Sequence, residues 1–339
     1  MPPDRPGDGL PTPARHWAMA TVILGIGLSV LDSTMVTLAL PGIVRDLRIT
    51  EADGVWLLNA YQLAVLVLLL PLAMVGDLFG YRRVYLAGVA LFMVASLGSV
   101  LATGAAQLGV ARALQGAGAA GLFAVNAALV RLIYPARLLG RGIAINSAVV
   151  AVASVAGPAV AAGILSLGPW PWLFAVNIPL ALALLLLGWR SLPPNASPAP
   201  AGTRIPWLDG LLNAAMFLLL FLGVQRLVPH GRLPAAPVLA GLLLVAGLVV
   251  GVVYVRRQLR QAVPLLPVDL LAIPVFRLSM GTSVAAFGAQ TLAAVALPFL
   301  LLDGLQRSAG EAGWLLAAWP AGTVLAAPLA GRLIGRVPS

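Results

Sequence analysis

Two ionisable residues stand inside long apolar stretches instead of at their ends: Asp32 in the first stretch and Arg112 in the fourth. A charge held at the middle of a bilayer costs at least about 2.5 to 3.5 kcal/mol on insertion scales, so each needs compensation. One reading of Asp32 is a protonatable carboxylate turned toward an internal cavity, where it loads and releases a proton. The other is an acid near a helix end that meets water at the outer surface. Arg112 either pairs with a carboxylate or backbone carbonyls inside a helical bundle, or snorkels to the surface along its aliphatic stem. The two compensate each other if the first and fourth stretches share one cavity.

A tight polar turn, Gly76-Asp77-Leu78-Phe79-Gly80-Tyr81-Arg82-Arg83, joins two apolar runs and brings one acid next to two bases. It reads either as a latch, with Asp77 engaging a neighbouring helix N-terminus or Arg in one conformation, or as a solvated turn. The run from Gly116 to Gly121 spells a dinucleotide-binding GxGxxG. No strand precedes it and no ribose-binding acid follows at the right distance, so the small residues are expected to form a groove where helices approach closely. Gly157 and Pro158 fit the same description, with Pro158 expected to bend its helix.

Composition sets the elements that must position these residues. Of 339 residues, 60% are hydrophobic and 9% charged, against about 25% charged in a soluble domain. The apolar runs are about twenty residues long, enough to cross roughly 30 Å of hydrocarbon. They predict an all-α polytopic membrane protein, with spans near 17–40, 55–75, 84–103, 106–130, 142–167, 172–189, 207–226, 236–255, 276–302 and 311–334. The net charge of +10 is carried by Arg at span ends, which argues against nucleic acid as a partner. Arg falls in every second loop, which predicts that both termini and the Pro-rich linker 191–206 are cytoplasmic. There is no Cys and only His16 and His230, so neither a disulfide nor a metal centre is expected, and no cofactor. A membrane-embedded enzyme lacks a His cluster, paired intramembrane carboxylates or a Ser/His/Asp set.

Several strings, taken together, resemble the major facilitator superfamily, in particular its drug:proton antiporter branch with fourteen spans. Leu31 to Pro41 resembles the first-span motif LDxTxVNxALP, with Thr37 where Asn is usual. Gly76 to Arg83 resembles the signature turn between spans two and three, with Asp77, Gly80, Arg82 and Arg83 in place. Arg112, Gln115, Gly116, Gly118 and Ala120 match RxxQGxGxA, whose Arg the family associates with proton coupling. Ala156-Gly157-Pro158 resembles the antiporter motif of the fifth span, and Trp170 to Pro179 the WRWxFxxNxP opening of the sixth, with Pro171 in place of Arg.

The resemblance implies a major facilitator fold divided into a six-helix bundle (1–190), a cytoplasmic linker with two extra helices (191–275) and the first two helices of a C-terminal bundle (276–339). It implies a secondary transporter in a bacterial cytoplasmic membrane that exchanges protons for hydrophobic, including cationic, drugs or metabolites. Asp32 and Arg112 would couple the proton, and Gln115, Gly116, Gly118, Gly157 and Pro158 would serve packing. By the fourteen-span count the C-terminal bundle is incomplete, so the alternative expectation is a truncated, non-transporting membrane protein. No residue pattern fixes an oligomeric state.

Overall fold

A computed structural model describes residues 9–194, 207–227, 236–261 and 268–301, with four single positions after them. Among the described residues the fold is all helix: α1 (Thr12–Asp46), α2 (Glu51–Phe79), α3 (Tyr81–Val100), α4 (Ala105–Ile133), α5 (Leu139–Leu167), α6 (Pro171–Ala175), α7 (Asn177–Ser191), α8 (Trp207–Gln225), α9 (Pro237–Gln258) and α10 (Pro274–Phe299). Eight segments are long and apolar enough to cross a membrane, with α6 and α7 together forming one of them, Pro171–Ser191. They coincide with the first eight runs expected from sequence. The ninth run corresponds to α10, and the tenth, 311–334, lies outside the described residues apart from isolated positions.

Several helices, α1, α2, α4 and α5 among them, run past the apolar stretches, because polar ends can continue the hydrogen-bonded ladder. The first run was expected to stop near residue 40, yet α1 continues through Pro41 to Asp46. At the start of α2, Thr50 and Asp53 form a reciprocal capping box: the Asp53 N–H donates to Thr50 Oγ1, and the Thr50 N–H donates to Asp53 Oδ2, each at 3.2 Å. Two otherwise orphaned donors are satisfied, and the acid sits at the positive end of the helix dipole. Only Gly80 separates α2 from α3; its φ of 107° is a conformation that a residue without Cβ adopts freely.

One expected helix is two. The sixth run breaks at Val176, between α6 and α7. Pro179 has no N–H to give the Ala175 carbonyl, so the i to i−4 ladder cannot pass this point. The break leaves Asn177 as the first residue of α7, fully buried.

α2 and α3 pack along α4, α5 along α1, and α9 along α8, with α8 also meeting α2. The interior of the α1–α7 bundle has two apolar layers. One includes Val22, Tyr85, Phe92, Leu122 and Leu129; the other includes Met35, Ile43, Leu57, Leu108 and Phe174. Along α1 these layers leave a gap around residue 32, and along α4 a gap around residues 112 to 115. Local contacts identify the two ends of the bundle. Leu10 N–H bonds the Ile133 carbonyl at 3.0 Å, Thr21 Oγ1 meets Ser191 Oγ at 2.8 Å and Arg82, just after the α2–α3 turn, donates to the Trp189 carbonyl, so the starts of α1 and α5, the α2–α3 turn and the end of α7 share one end. At the other end, Trp170 Nε1 donates to Asp46 Oδ2 at 2.7 Å.

Candidate functional site

The gap between the apolar layers holds a closed polar network. Asp32 is 0% exposed and Arg112 1%, and their side chains pair directly, Arg112 Nη1 donating to Asp32 Oδ2 at 2.7 Å. The second carboxylate oxygen, Oδ1, accepts from Gln115 Nε2 at 3.0 Å and from Asn177 Nδ2 at 2.6 Å. Gln115 lies one helical turn after Arg112, so both point the same way from α4. Its Oε1 accepts from Arg112 Nη1 at 2.7 Å, while its Nε2 also donates to Ser96 Oγ at 3.0 Å. Ser96 closes the chain by donating to the Phe92 carbonyl at 2.7 Å. The guanidinium carbon stands 4.4 Å from the centre of the Tyr61 ring and 5.8 Å from that of Phe174, and the Tyr61 hydroxyl donates to the Ser29 carbonyl at 3.2 Å.

Six residues from α1, α2, α3, α4 and α7 therefore meet at one level. A carboxylate with three donors and a guanidinium stacked on an aromatic face is how a buried ion pair offsets its desolvation. The pair is also vulnerable. A protonated Asp32 would itself carry a donor and could not accept from Arg112, Gln115 and Asn177 all together, so at least one of the three bonds would be lost. Two further atoms here, Arg112 Nε and Asn177 Oδ1, are buried without a hydrogen-bond partner among the described residues, which leaves the network capacity to re-pair.

The small residues of the fourth-span motif lie where backbones touch. A Cβ on Gly118 would come within 2.7 Å of the Gly88 carbonyl oxygen and of the Phe92 nitrogen, and one on Gly116 would overlap the Tyr61 carbonyl oxygen. Gly157 faces Thr34 of α1 just as closely. α5 continues through Pro158 to Leu167. In the α2–α3 turn, Asp77 takes a hydrogen bond from the Tyr81 hydroxyl at 2.6 Å. Arg82 instead crosses to α7, donating to the Trp189 carbonyl and lying 5.5 Å from its ring centre. Arg83 is exposed.

Sequence reasoning singled out Asp32, Arg112 and Gln115 but gave Asn177, Ser96 and Tyr61 no part in the site. It also passed over Asp209 in α8. That carboxylate is fully buried and accepts from Arg257 Nε at 2.5 Å and Gln261 Nε2 at 2.7 Å, while Asn213 ties α8 to the Val67 carbonyl of α2 at 2.9 Å. The signal available was an Asp just inside one apolar run and an Arg cluster ending the next.

The family model described as Major Facilitator Superfamily matches residues 22–289. An uncharacterized transporter of Escherichia coli (strain K12), YebQ, is 48% identical over 330 residues, covering 97% of this chain and 71% of the relative. The multidrug efflux pump LfrA of Mycolicibacterium smegmatis is 34% identical over 271 residues, covering 79% of this chain and 53% of the pump. The chain thus spans roughly half to seven tenths of these two relatives. Among solved structures, the proton:xylose symporter XylE aligns with a TM-score of 0.59 at 16% identity, over 95% of this chain and 70% of the symporter, a likeness of fold.

Proposed function

We propose, from the premise that this chain belongs to the major facilitator superfamily, that it drives hydrophobic, including cationic, drugs or metabolites out of the bacterial cytoplasm in exchange for protons. The observation that carries this reading is the sealed Asp32–Arg112 pair with its two amide partners, Gln115 and Asn177. It is one protonatable group whose loading changes the pairing of three helices. In the unprotonated state the network clamps α1, α4 and α7; a proton on Asp32 weakens the hold on Arg112, which keeps Gln115 Oε1 as an acceptor and has an unpaired Nε–H ready to donate elsewhere, and the bundle becomes free to change its packing. A membrane potential of 100 mV supplies about 2.3 kcal/mol for each charge that moves, enough for one or two protons to support substantial accumulation. The export direction draws on the Ala156-Gly157-Pro158 motif and on the relative named a multidrug efflux pump. A non-transporting protein gains no support from these relatives.

In this reading residues 1–190 form the first bundle, 191–275 the linker and two extra helices, and 276–339 enter the second bundle. The end of the molecule bearing Arg82, Arg83, Arg137 and Arg141 faces the cytoplasm. A reporter active only in the periplasm, fused after Arg204, is expected to stay dark; strong activity would invert the orientation.

The test of function is ethidium efflux from preloaded, energised bacterial cells. Cells making the protein are expected to lose the dye faster than cells with an empty vector, and a protonophore is expected to remove the difference. Efflux that ignores the protonophore, or faster dye uptake, would overturn the proposal.

A further inference from the structure

A second feature lies away from the ion pair. α1, α5 and α7 enclose a crevice of about 1460 Å³. Its floor is the α1 face around Ile23 and Gly27, and its walls are α5 from Gly140 to Ala156 and α7 from Leu180 to Leu187. Leu24, Val152 and Leu180, which line it, are each about half exposed, so it opens sideways toward the surroundings of the helices. Among the described residues that line it, the charged ones are Arg137 and Arg141, both exposed and both at the end where α5 begins. No carboxylate is among the described residues that line it.

We infer that this crevice binds one anionic phospholipid, its tails along the apolar walls and its phosphate against Arg137 and Arg141. The length fits. The fifteen steps along α5 from Arg141 to Ala156 rise about 22 Å, and one leaflet with its headgroup is about 20 to 22 Å thick. The charge fits as well, since a basic pocket between helices at a membrane face selects anionic headgroups. The same two guanidiniums repel a cation at the mouth, which argues against the crevice being the path of a cationic drug. A bound lipid would wedge α5 against α1, the helix that carries Asp32, and so set how freely α1 moves.

Native mass spectrometry of the purified protein, exposed in turn to dioleoylphosphatidylglycerol and dioleoylphosphatidylcholine, tests this. The wild type is expected to keep the glycerol lipid in clear preference. Arg141→Gln should weaken retention about fivefold, and the Arg137→Gln, Arg141→Gln double variant about 25-fold, to the level of the choline lipid. Ala148→Trp fills the crevice with both arginines intact and is expected to remove the adduct, and excess glycerol 3-phosphate is expected not to displace it. Equal retention of the two lipids, an unaffected double variant, retention by Ala148→Trp, displacement by the free phosphate, or displacement by ethidium would each overturn the inference.

Discussion

Asp32→Asn is expected to bring protonophore-sensitive efflux down to the empty-vector level while the protein still inserts. Asn keeps the shape of Asp but cannot release a proton, and it presents an NH2 group where only donors face it: Arg112, Gln115 and Asn177. The guanidinium is left buried without a counter-charge. Removing one member of such a pair costs about 3 to 5 kcal/mol, which a thermal melt in detergent reads as a marked fall in Tm. Loss of activity alone could then reflect a weakened fold, so the double variant Asp32→Asn, Arg112→Gln separates the two effects. Neutralising both partners removes the stranded charge, and replacing a buried ion pair by uncharged groups is often nearly neutral. The double variant is expected to regain most of the lost stability and none of the efflux. Wild-type efflux from the single variant would remove Asp32 from the coupling mechanism.

The second large effect belongs to Gly116. Gly116→Ala places a methyl group on the Tyr61 carbonyl oxygen, and because that atom is backbone, α2 as a whole must back away from α4. Overpacking of this kind costs about 1 to 3 kcal/mol. The displacement also draws the Tyr61 ring off Arg112, so efflux is expected to fall with stability. Gly163→Ala is the matched control. It lies in α5 with nothing within 4 Å of the added carbon, and Ala exceeds Gly in a helix interior by about 0.5 to 1 kcal/mol, so no loss is expected. Equal melting temperatures for the two variants would contradict the close α2–α4 contact.

Much of this architecture is legible in the sequence because membrane-spanning helices announce themselves by apolar length, and because Asp32 and Arg112 are costly where they stand. Their separation of 2.7 Å is not legible, since it depends on how α1 and α4 rotate about their axes. Gln115 reads as part of a packing motif, yet its amide bridges the ion pair and Ser96. Ser96 escapes notice for a physical reason. A lone hydroxyl in an apolar run can satisfy itself on its own helix, as Ser29 does on the Gly25 carbonyl at 3.1 Å, so its presence predicts no partner across the bundle. The break at Val176 was hidden because hydropathy does not register the donor that Pro179 lacks. The same blindness to partners applies to Asp77, which accepts from the Tyr81 hydroxyl one turn away.

The most direct test of the account is proton movement itself. In inverted membrane vesicles energised to an acid interior and followed with a pH-sensitive dye, addition of ethidium is expected to release protons from vesicles carrying the wild-type protein and none from vesicles carrying Asp32→Asn. Ethidium accumulation without proton release, or equal release from the Asp32→Asn vesicles, would contradict it.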